Sequence, residues 1–188
     1  MQKLFNITNE TDHIVKIELV NGKKHNPLSL ELIKDLTNSL IQISSQKKVK
    51  VLIISSEGPG FSAGHDLDEL RKNKNNKKFF NELFNECSNL MQTIMNLPQP
   101  VIAEVCGIAA AAGCQLVASC DLAVASEQAA FMTPGVNIGL FCSTPMVAVS
   151  RNLSRKKIME MLLTGEKLSA KDAVDYGLIN PVSYTHLT

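Results

Sequence analysis

The sequence predicts an α/β fold, in which short strands alternate with helices, and three observations support this class. Short runs rich in valine and isoleucine recur along the chain, as expected of strands. Between them lie segments whose apolar residues recur every three or four positions, which is the period of a helix with one buried face. Glycine, proline and asparagine separate the two kinds of segment. This alternation favours right-handed crossovers between the strands.

The first half of the chain contains two predicted strands and two predicted helices. Residues 13–20 (HIVKIELV) and 50–54 (KVLII) are predicted strands because Ile and Val dominate them. Ser29 is a predicted N-cap, and it precedes an apolar stripe over 32–41 at helical spacing. The clearest helix spans 78–95, where apolar residues recur at intervals of three, four and seven, and two prolines follow it.

The second half continues the same alternation. Residues 101–105 (VIAEV) and 121–125 (DLAVA) are predicted strands. Alanine-rich composition, N-caps and terminal glycines predict three helices over 109–119, 154–165 and 171–177.

Length and composition indicate one domain, since 188 residues of which 45% are hydrophobic suffice for a real core. We assign residues 1–182 to this core domain. Residues 183–188 (SYTHLT) form an atypical tail, because a strand starts near 178–182 and nothing follows to pack on it. The tail is either a true terminus or a sign of truncation with foreign residues attached.

Charge and hydropathy argue against nucleic-acid and membrane partners. The net charge is only +1, so no strong field for nucleic acid or an acidic membrane is expected. The N-terminus has no signal-like apolar segment, and the longest apolar run, 105–114, is too short to span a bilayer. We therefore expect a cytoplasmic protein, or a mitochondrial one if the chain is already processed.

Cysteine and histidine spacing argues against a metal site. None of the five cysteines forms a C-x-x-C pair, and most lie in apolar surroundings. The four histidines show no helical metal-binding spacing. Buried free thiols in a reducing compartment are the expectation, with neither disulfides nor a metal.

Two stretches of small residues, FSAGHD (61–66) and AAAAGCQ (109–115), each follow a predicted strand. Small side chains let a ligand approach the backbone, and a helix N-terminus supplies unpaired N–H groups. Two such donors about 3 Å from a thioester oxygen would form an oxyanion hole. The alternative is structural: Gly64 and Gly113 only form turns, and the alanines only permit tight helix packing.

Four ordered motifs carry a resemblance to a known family. They are FSAGHDLDEL (61–70), AAAAGCQLVASCDLAVAS (109–126), FMTPGVNIGL (131–140) and LLTGEKLSAKDAVDYGLIN (162–180). Together they strongly resemble the enoyl-CoA hydratase/isomerase (crotonase) family, and look closest to its domain-containing-protein-3 branch. The resemblance covers the chain from about His13 to Val182. It implies a spiral of repeated ββα units, from which a C-terminal helical part is missing, and an acyl-CoA thioester ligand. It also implies a homotrimer or hexamer when the protein is full length.

The resemblance also implies positions for the site residues. The oxyanion N–H donors would belong to His65 and Ala112, the two predicted catalytic positions. Lys24, His25 and Asn26 would lie near the adenine and phosphates of coenzyme A. Asp66 and Leu67 would line the adenine and pantetheine side. The remaining implied substrate-binding residues are Ala63, Gly64, Gly113, Gln115, Gly135 and Cys142. Coenzyme A enters as part of the substrate, and no separate cofactor is implied.

The chain departs from the hydratase pattern at both catalytic glutamates. Gln115 and Gly135 stand at these positions, and neither residue can accept a proton from water. SAGHD also resembles the decarboxylase members, in which the His65 ring could orient a carboxylate while Cys142 or Ser143 assists. The expected function is therefore an acyl-CoA-processing enzyme, either a hydratase-like lyase or a decarboxylase. The alternative is a non-catalytic acyl-CoA-binding or regulatory protein that has lost both glutamates.

Overall fold

The computed structural model describes residues 4–180 and the backbone of 182–183. Most of the predicted tail, 184–188, lies outside the described residues. Ten strands and seven α-helices occur in the described part of the chain. None of the helices in this part is both long and apolar enough to cross a membrane.

The larger sheet has six strands and is mostly parallel. Its strands in spatial order are β1 (Phe5–Asn9), β2 (Ile14–Leu19), β3 (Val51–Ser56), β5 (Val101–Val105), β7 (Leu122–Ser126) and β10 (Val182–Ser183). Only the β1–β2 pair is antiparallel. Strand β2 alternates buried and half-buried residues, so one face of the sheet packs into the core and the other is partly open.

The smaller sheet has four short strands, and three of them directly follow strands β3, β5 and β7 of the larger sheet along the chain. In spatial order they are β4 (Gly60–Ser62), β6 (Ile108–Ala110), β8 (Ala130–Met132) and β9 (Leu168–Ser169). The first three pair in parallel, and β9 pairs antiparallel to β8.

Seven helices accompany the sheets, together with two 3-10 helices, Gly22–Lys24 and Pro134–Ile138. The α-helices are α1 (Leu30–Ser44), α2 (Leu67–Lys72), α3 (Lys77–Asn96), α4 (Ala112–Ser119), α5 (Ser143–Val149), α6 (Arg155–Thr164) and α7 (Ala170–Asp175). Ser29 caps α1 through its hydroxyl, which accepts from the Leu32 N–H, as the sequence predicted.

The chain order confirms the ββα repeat. Strands β3, β5 and β7 each belong to the large sheet, and each is followed by a strand of the small sheet and then by one or more helices. Because every turn of this spiral places the small-sheet strand ends side by side, the loops after β4, β6 and β8 meet at one edge. These are the loops that carry the predicted site residues.

One predicted boundary was wrong. The run of four alanines predicted a helix from 109, but Ile108–Ala110 forms strand β6 between β4 and β8. Helix α4 begins only at Ala112. Alanine's helix preference is weak compared with two flanking ladders of backbone hydrogen bonds, so tertiary pairing decides this boundary.

Candidate functional site

The two small-residue stretches lie against each other. A Cβ atom added to Gly64 would lie 3.1 Å from the Ala112 nitrogen and 3.0 Å from the Ala110 carbonyl oxygen. A Cβ atom at Gly113 would lie 2.4 Å from the Ser62 carbonyl oxygen. Both glycines therefore permit backbone-to-backbone contact between the turn after β4 and the start of α4.

Ala111 connects β6 to α4 in a strained conformation. Its φ is +49° and its ψ is −118°, a combination that residues other than glycine rarely adopt. Its own N–H donates to the Met132 carbonyl oxygen at 3.0 Å, which ties the turn to the end of β8. The strained turn starts α4 abruptly and leaves the Ala112 N–H at its first position, where a helix supplies no internal partner.

The predicted donor on the other stretch, the His65 N–H, also lacks an internal partner. The neighbours of His65 bond to Leu28 on both sides: the Leu28 N–H donates to Gly64 at 2.8 Å, and the Asp66 N–H donates to the Leu28 carbonyl at 3.4 Å. Among the described residues, the N–H groups of His65 and Ala112 donate to no protein acceptor. Two free backbone donors on adjoining segments are what an oxyanion site requires.

The His65 ring is enclosed and neutral. Its Nδ1 atom lies 3.4 Å from the Leu28 carbonyl oxygen, and because a carbonyl only accepts, Nδ1 carries the proton. Its Nε2 atom is shielded from solvent and has no partner among the described residues. Burial lowers the pKa of His65, and the hydrogen bond to Leu28 offsets only part of that effect. The ring thus presents a lone pair in an apolar enclosure, not a positive charge.

The segment over residues 24–26 adjoins the same turn. The Ala63 N–H donates to the His25 carbonyl oxygen at 2.8 Å. Lys24 and His25 are exposed, and His25 has a positive φ of 58°. Ala63 and Leu67 are exposed as well, so these four predicted substrate-binding residues share an accessible surface beside the two donors.

Three other residues predicted to bind substrate are instead engaged by the protein itself. Asn26 is 1% exposed, and its side chain bonds to the Asn21 N–H and to two carbonyl oxygens, so it holds the loop together. The Asp66 carboxylate caps α2 by accepting two backbone N–H groups. Gly113 serves the close approach to Ser62 described above. Side-chain chemistry alone cannot distinguish a polar group that binds a ligand from one that satisfies the backbone.

Gly135 and Cys142 are neighbours at the end of β8. A Cβ atom at Gly135 would lie 2.9 Å from the Cys142 Sγ atom and 3.1 Å from the Leu140 carbonyl oxygen. Burial raises the pKa of the Cys142 thiol, which therefore stays protonated at neutral pH. This part of the site contains a neutral thiol and has no room for a side chain at residue 135.

Gln115 lies in the first turns of α4 and is 6% exposed. Its Oε1 atom has no partner among the described residues, and the same is true of the hydroxyl of the fully buried Thr133. Thr133 follows β8, on the loop that also carries Gly135. Sequence reasoning missed Thr133, because nothing in the motif FMTPG distinguishes a buried hydroxyl with a partner from one without.

The family model described as enoyl-CoA hydratase/isomerase matches residues 9–185. The human enoyl-CoA hydratase domain-containing protein 3, mitochondrial, is 52% identical over 173 residues, which cover 92% of this chain and 57% of that protein. A probable enoyl-CoA hydratase of Bacillus subtilis is 31% identical, with 90% of this chain and 66% of that protein covered. The chain thus spans about 57% of the length of the human relative.

Solved structures show the same similarity in three dimensions. The crystal structure of human enoyl-CoA hydratase domain-containing protein 3 superposes with a TM-score of 0.91 at 49% identity, covering 96% of this chain and 70% of that one. An enoyl-CoA hydratase from Mycobacterium smegmatis gives 0.93 at 43% identity over the same shares of the two chains. Sequence and architecture therefore indicate the same relationship.

Proposed function

The chain belongs to the enoyl-CoA hydratase/isomerase family, and we propose that it binds acyl-CoA thioesters and stabilises their enolate form. The N–H groups of His65 and Ala112 hold the thioester oxygen. The observation that carries the proposal is that these two donors lie on adjoining segments and have no acceptor among the described residues. Removing one donor from such a site typically lowers turnover by about 100-fold or more.

The surface beside the donors favours coenzyme A as the carrier part of the ligand, which stays attached to the acyl group throughout. Lys24 and His25 are exposed next to Ala63, and a lysine there suits the phosphate groups. Leu67, which is 49% exposed, offers an apolar contact for the pantetheine arm. Coenzyme A is bound as part of the substrate, not as a resident cofactor.

Hydration is the less favoured reaction, because it needs a group that takes a proton from water. Gln115 can orient water but cannot act as a base, and Gly135 has no side chain. Decarboxylation needs no strong base. The bond from the α-carbon to the carboxylate breaks, carbon dioxide leaves, and the electron pair becomes the enolate held by the two donors. A proton source then converts the enolate into the acyl thioester.

A non-catalytic acyl-CoA-binding protein is the second candidate. The specific observation in its favour concerns the two positions where hydratases carry glutamate. One holds Gln115, whose side chain is buried, and the other holds Gly135, which lies against the Cys142 side chain. Such a protein would retain the donors and the coenzyme A surface and would release no product.

The test is product analysis with crotonyl-CoA and methylmalonyl-CoA on the purified protein, on a His65→Ala variant and on a His13→Ala control. His65→Ala removes the ring but keeps the backbone donor, and His13 is an exposed histidine that bonds to Lys48. Propionyl-CoA that falls only in His65→Ala supports decarboxylation through the ring. Hydrated crotonyl-CoA means that an unidentified group activates water. Intact binding without product from either thioester favours the non-catalytic candidate.

Assembly and location are part of the same proposal. The names of the human and rat relatives include "mitochondrial", which favours that location over the cytoplasm for this chain. We propose a homotrimer or hexamer for the full-length protein, supported by apolar side chains that remain exposed on the described residues.

A further inference from the structure

Three aromatic side chains line the first turns of α3 beside the predicted oxyanion hole. The rings of Phe80 and Phe84 stack with centroids 6.3 Å apart and an interplanar angle of 25°. Phe84 also meets the His65 ring edge-on, with centroids 5.5 Å apart and an angle of 80°. Phe79 contacts Phe80 at 5.6 Å. His65 thus supplies one donor through its backbone, while its ring is packed against Phe84.

Phe84 is unusual for a core helix because its side chain is 40% exposed. Helical periodicity predicts Phe84 on the apolar face of α3, yet it projects toward the site instead of filling the interior. An aromatic side chain that is half open to solvent and half packed on a site residue is well placed to contact a ligand.

The packing against Phe84 decides what the His65 ring can bind. With its proton on Nδ1, bonded to Leu28, the ring directs a lone pair from Nε2, and that atom is closed off from solvent. A carboxylate has only lone pairs to offer, so it is repelled unless the ring becomes protonated. Protonation inside an apolar enclosure is costly because the charge loses its hydration.

Three carboxylates on the elements around the ring are engaged elsewhere, whereas Lys77 and Lys78 at the start of α3 are exposed. Asp66 caps α2, and Glu69 accepts from the Leu30 N–H at 3.1 Å. On α3, the Glu82 carboxylate pairs with Lys34. None of the three is directed at the ring by these bonds, and the His65 pKa is shifted by burial and by the Leu28 hydrogen bond, not by a charged neighbour.

We propose that Phe84 is a specificity-determining residue, which packs on the His65 ring and selects uncharged acyl groups over carboxylated ones. The inference rests on the proposed function, since it concerns the acyl end of the same site. Decarboxylation through the His65 ring, the reaction favoured above, therefore requires the Phe84 side chain to move off the ring and Nε2 to take up a proton. Uncharged acyl chains pass along the exposed faces of Phe80 and Phe84.

Butyryl-CoA and succinyl-CoA form a matched pair of probes, because both carry four-carbon acyl chains and only the second ends in a carboxylate. Dissociation constants are measured by calorimetry for the wild type, Phe84→Ala and Phe79→Ala. Phe79 is the control because its aromatic contact is with Phe80 and not with His65. We expect the wild type to bind butyryl-CoA more tightly than succinyl-CoA. Phe84→Ala should reduce the ratio of the two dissociation constants about tenfold, whereas Phe79→Ala should leave this ratio unchanged.

A titration of the His65 ring by NMR gives a readout that does not depend on turnover. In Phe84→Ala the ring gains water, so its pKa rises toward the ordinary histidine value, and Phe79→Ala does not move it. If Phe84→Ala does not fold, Phe84→Leu replaces it in both measurements. Leucine keeps an apolar side chain of similar size but removes the aromatic contact with the His65 ring.

The outcomes separate the two hypotheses. An unchanged preference and an unchanged His65 titration in folded Phe84→Ala overturn the role of Phe84. An equal effect in Phe79→Ala shows a general loosening of α3 and overturns it as well. If the wild type binds neither thioester, the proposed function fails, and the NMR titration alone then decides whether Phe84 shields the ring.

Discussion

Gly64 controls how closely the two proposed donors approach, because a side chain at this position would point at the Ala112 nitrogen. Its φ of +89° is a second reason for glycine. Gly139 is a natural comparison, since its φ is +74° but a Cβ atom there would meet nothing within 4 Å. The pair therefore separates backbone strain from blockage of the site.

We expect Gly64→Ala and Gly139→Ala both to lower the free energy of unfolding by about 1–2 kcal/mol, the usual cost of a left-handed alanine. Only Gly64→Ala should also weaken binding of an acyl-CoA, by at least about tenfold. Urea denaturation and calorimetry measure the two effects. Equal thioester affinity in both variants would contradict the site assignment.

The Gly135–Cys142 contact gives a second test at this scale. Gly135→Ala should destabilise the protein by about 1–3 kcal/mol, because the new methyl group overlaps the Cys142 Sγ atom. Cys142→Ala in the same chain should recover part of that loss, with a coupling energy of about 0.5–3 kcal/mol in a double-mutant cycle. Simple additivity would mean that Leu140, and not Cys142, limits the space.

At the scale of secondary-structure elements, one ion pair joins the two strands that flank β3. Lys16 on β2 and Glu104 on β5 lie on either side of β3, with Nζ and Oε2 2.9 Å apart. Their side chains are only 17% and 14% exposed. The pair thus joins β2 and β5 across β3, on the face of the large sheet where β2 places its half-buried residues.

Replacing Glu104 by Gln should lower the free energy of unfolding by about 1–3 kcal/mol, between the values for exposed and buried pairs. Burial lowers the pKa of Lys16, but the hydrogen bond and charge of Glu104 outweigh it, so the net pKa is raised. Stability from a raised lysine pKa is complete below the ordinary value of 10.5 and is lost as pH rises through the folded-state value. Wild type should therefore lose its advantage over Glu104→Gln above about pH 10.5.

Thermal unfolding between pH 7 and 11 measures this difference. Glu160→Gln is the control, because Lys157 and Glu160 form an exposed pair within a single helix, α6, and should contribute less. A pH-independent gap between wild type and Glu104→Gln would show that packing and not charge accounts for the effect.

For the whole molecule, the loop after β8 and the two helices beyond it leave apolar side chains open to solvent. Those more than a third exposed are Val136, Ile138, Leu140, Phe141, Val147, Met159 and Leu163. Isolated apolar residues are common on surfaces, but this many on neighbouring segments indicates an interaction surface.

We therefore expect the 188-residue chain to self-associate or aggregate at micromolar concentration. Ile138→Ser combined with Leu140→Ser should reduce the association measured by analytical ultracentrifugation. Lys23→Ser combined with Lys24→Ser, a double change at two exposed charged residues outside this apolar set, serves as the control. A monodisperse monomer that melts cooperatively would contradict this prediction.

The sequence by itself determined the α/β class, most helix positions and the family. Apolar residues recur at the helical period wherever one face of a helix is buried. The helix predicted over 78–95 therefore matches α3 almost to its ends. Short strands such as β1, β4 and β8 escaped prediction, because three to five residues give too little periodicity and their pairing partners are distant in sequence. The start of α4 was misplaced for the same reason.

Only the tertiary structure decided how the site residues are used. The family resemblance brought His65 and Ala112 into one hypothesis, but their adjacency depends on Gly64 and Gly113 meeting the backbone of another turn. The side chains of Asn26 and Asp66 hydrogen-bond to the backbone, and Phe84 packs edge-on against the His65 ring. Side-chain type sets what a residue can do, whereas three-dimensional contacts between distant segments set which of its hydrogen bonds remain free.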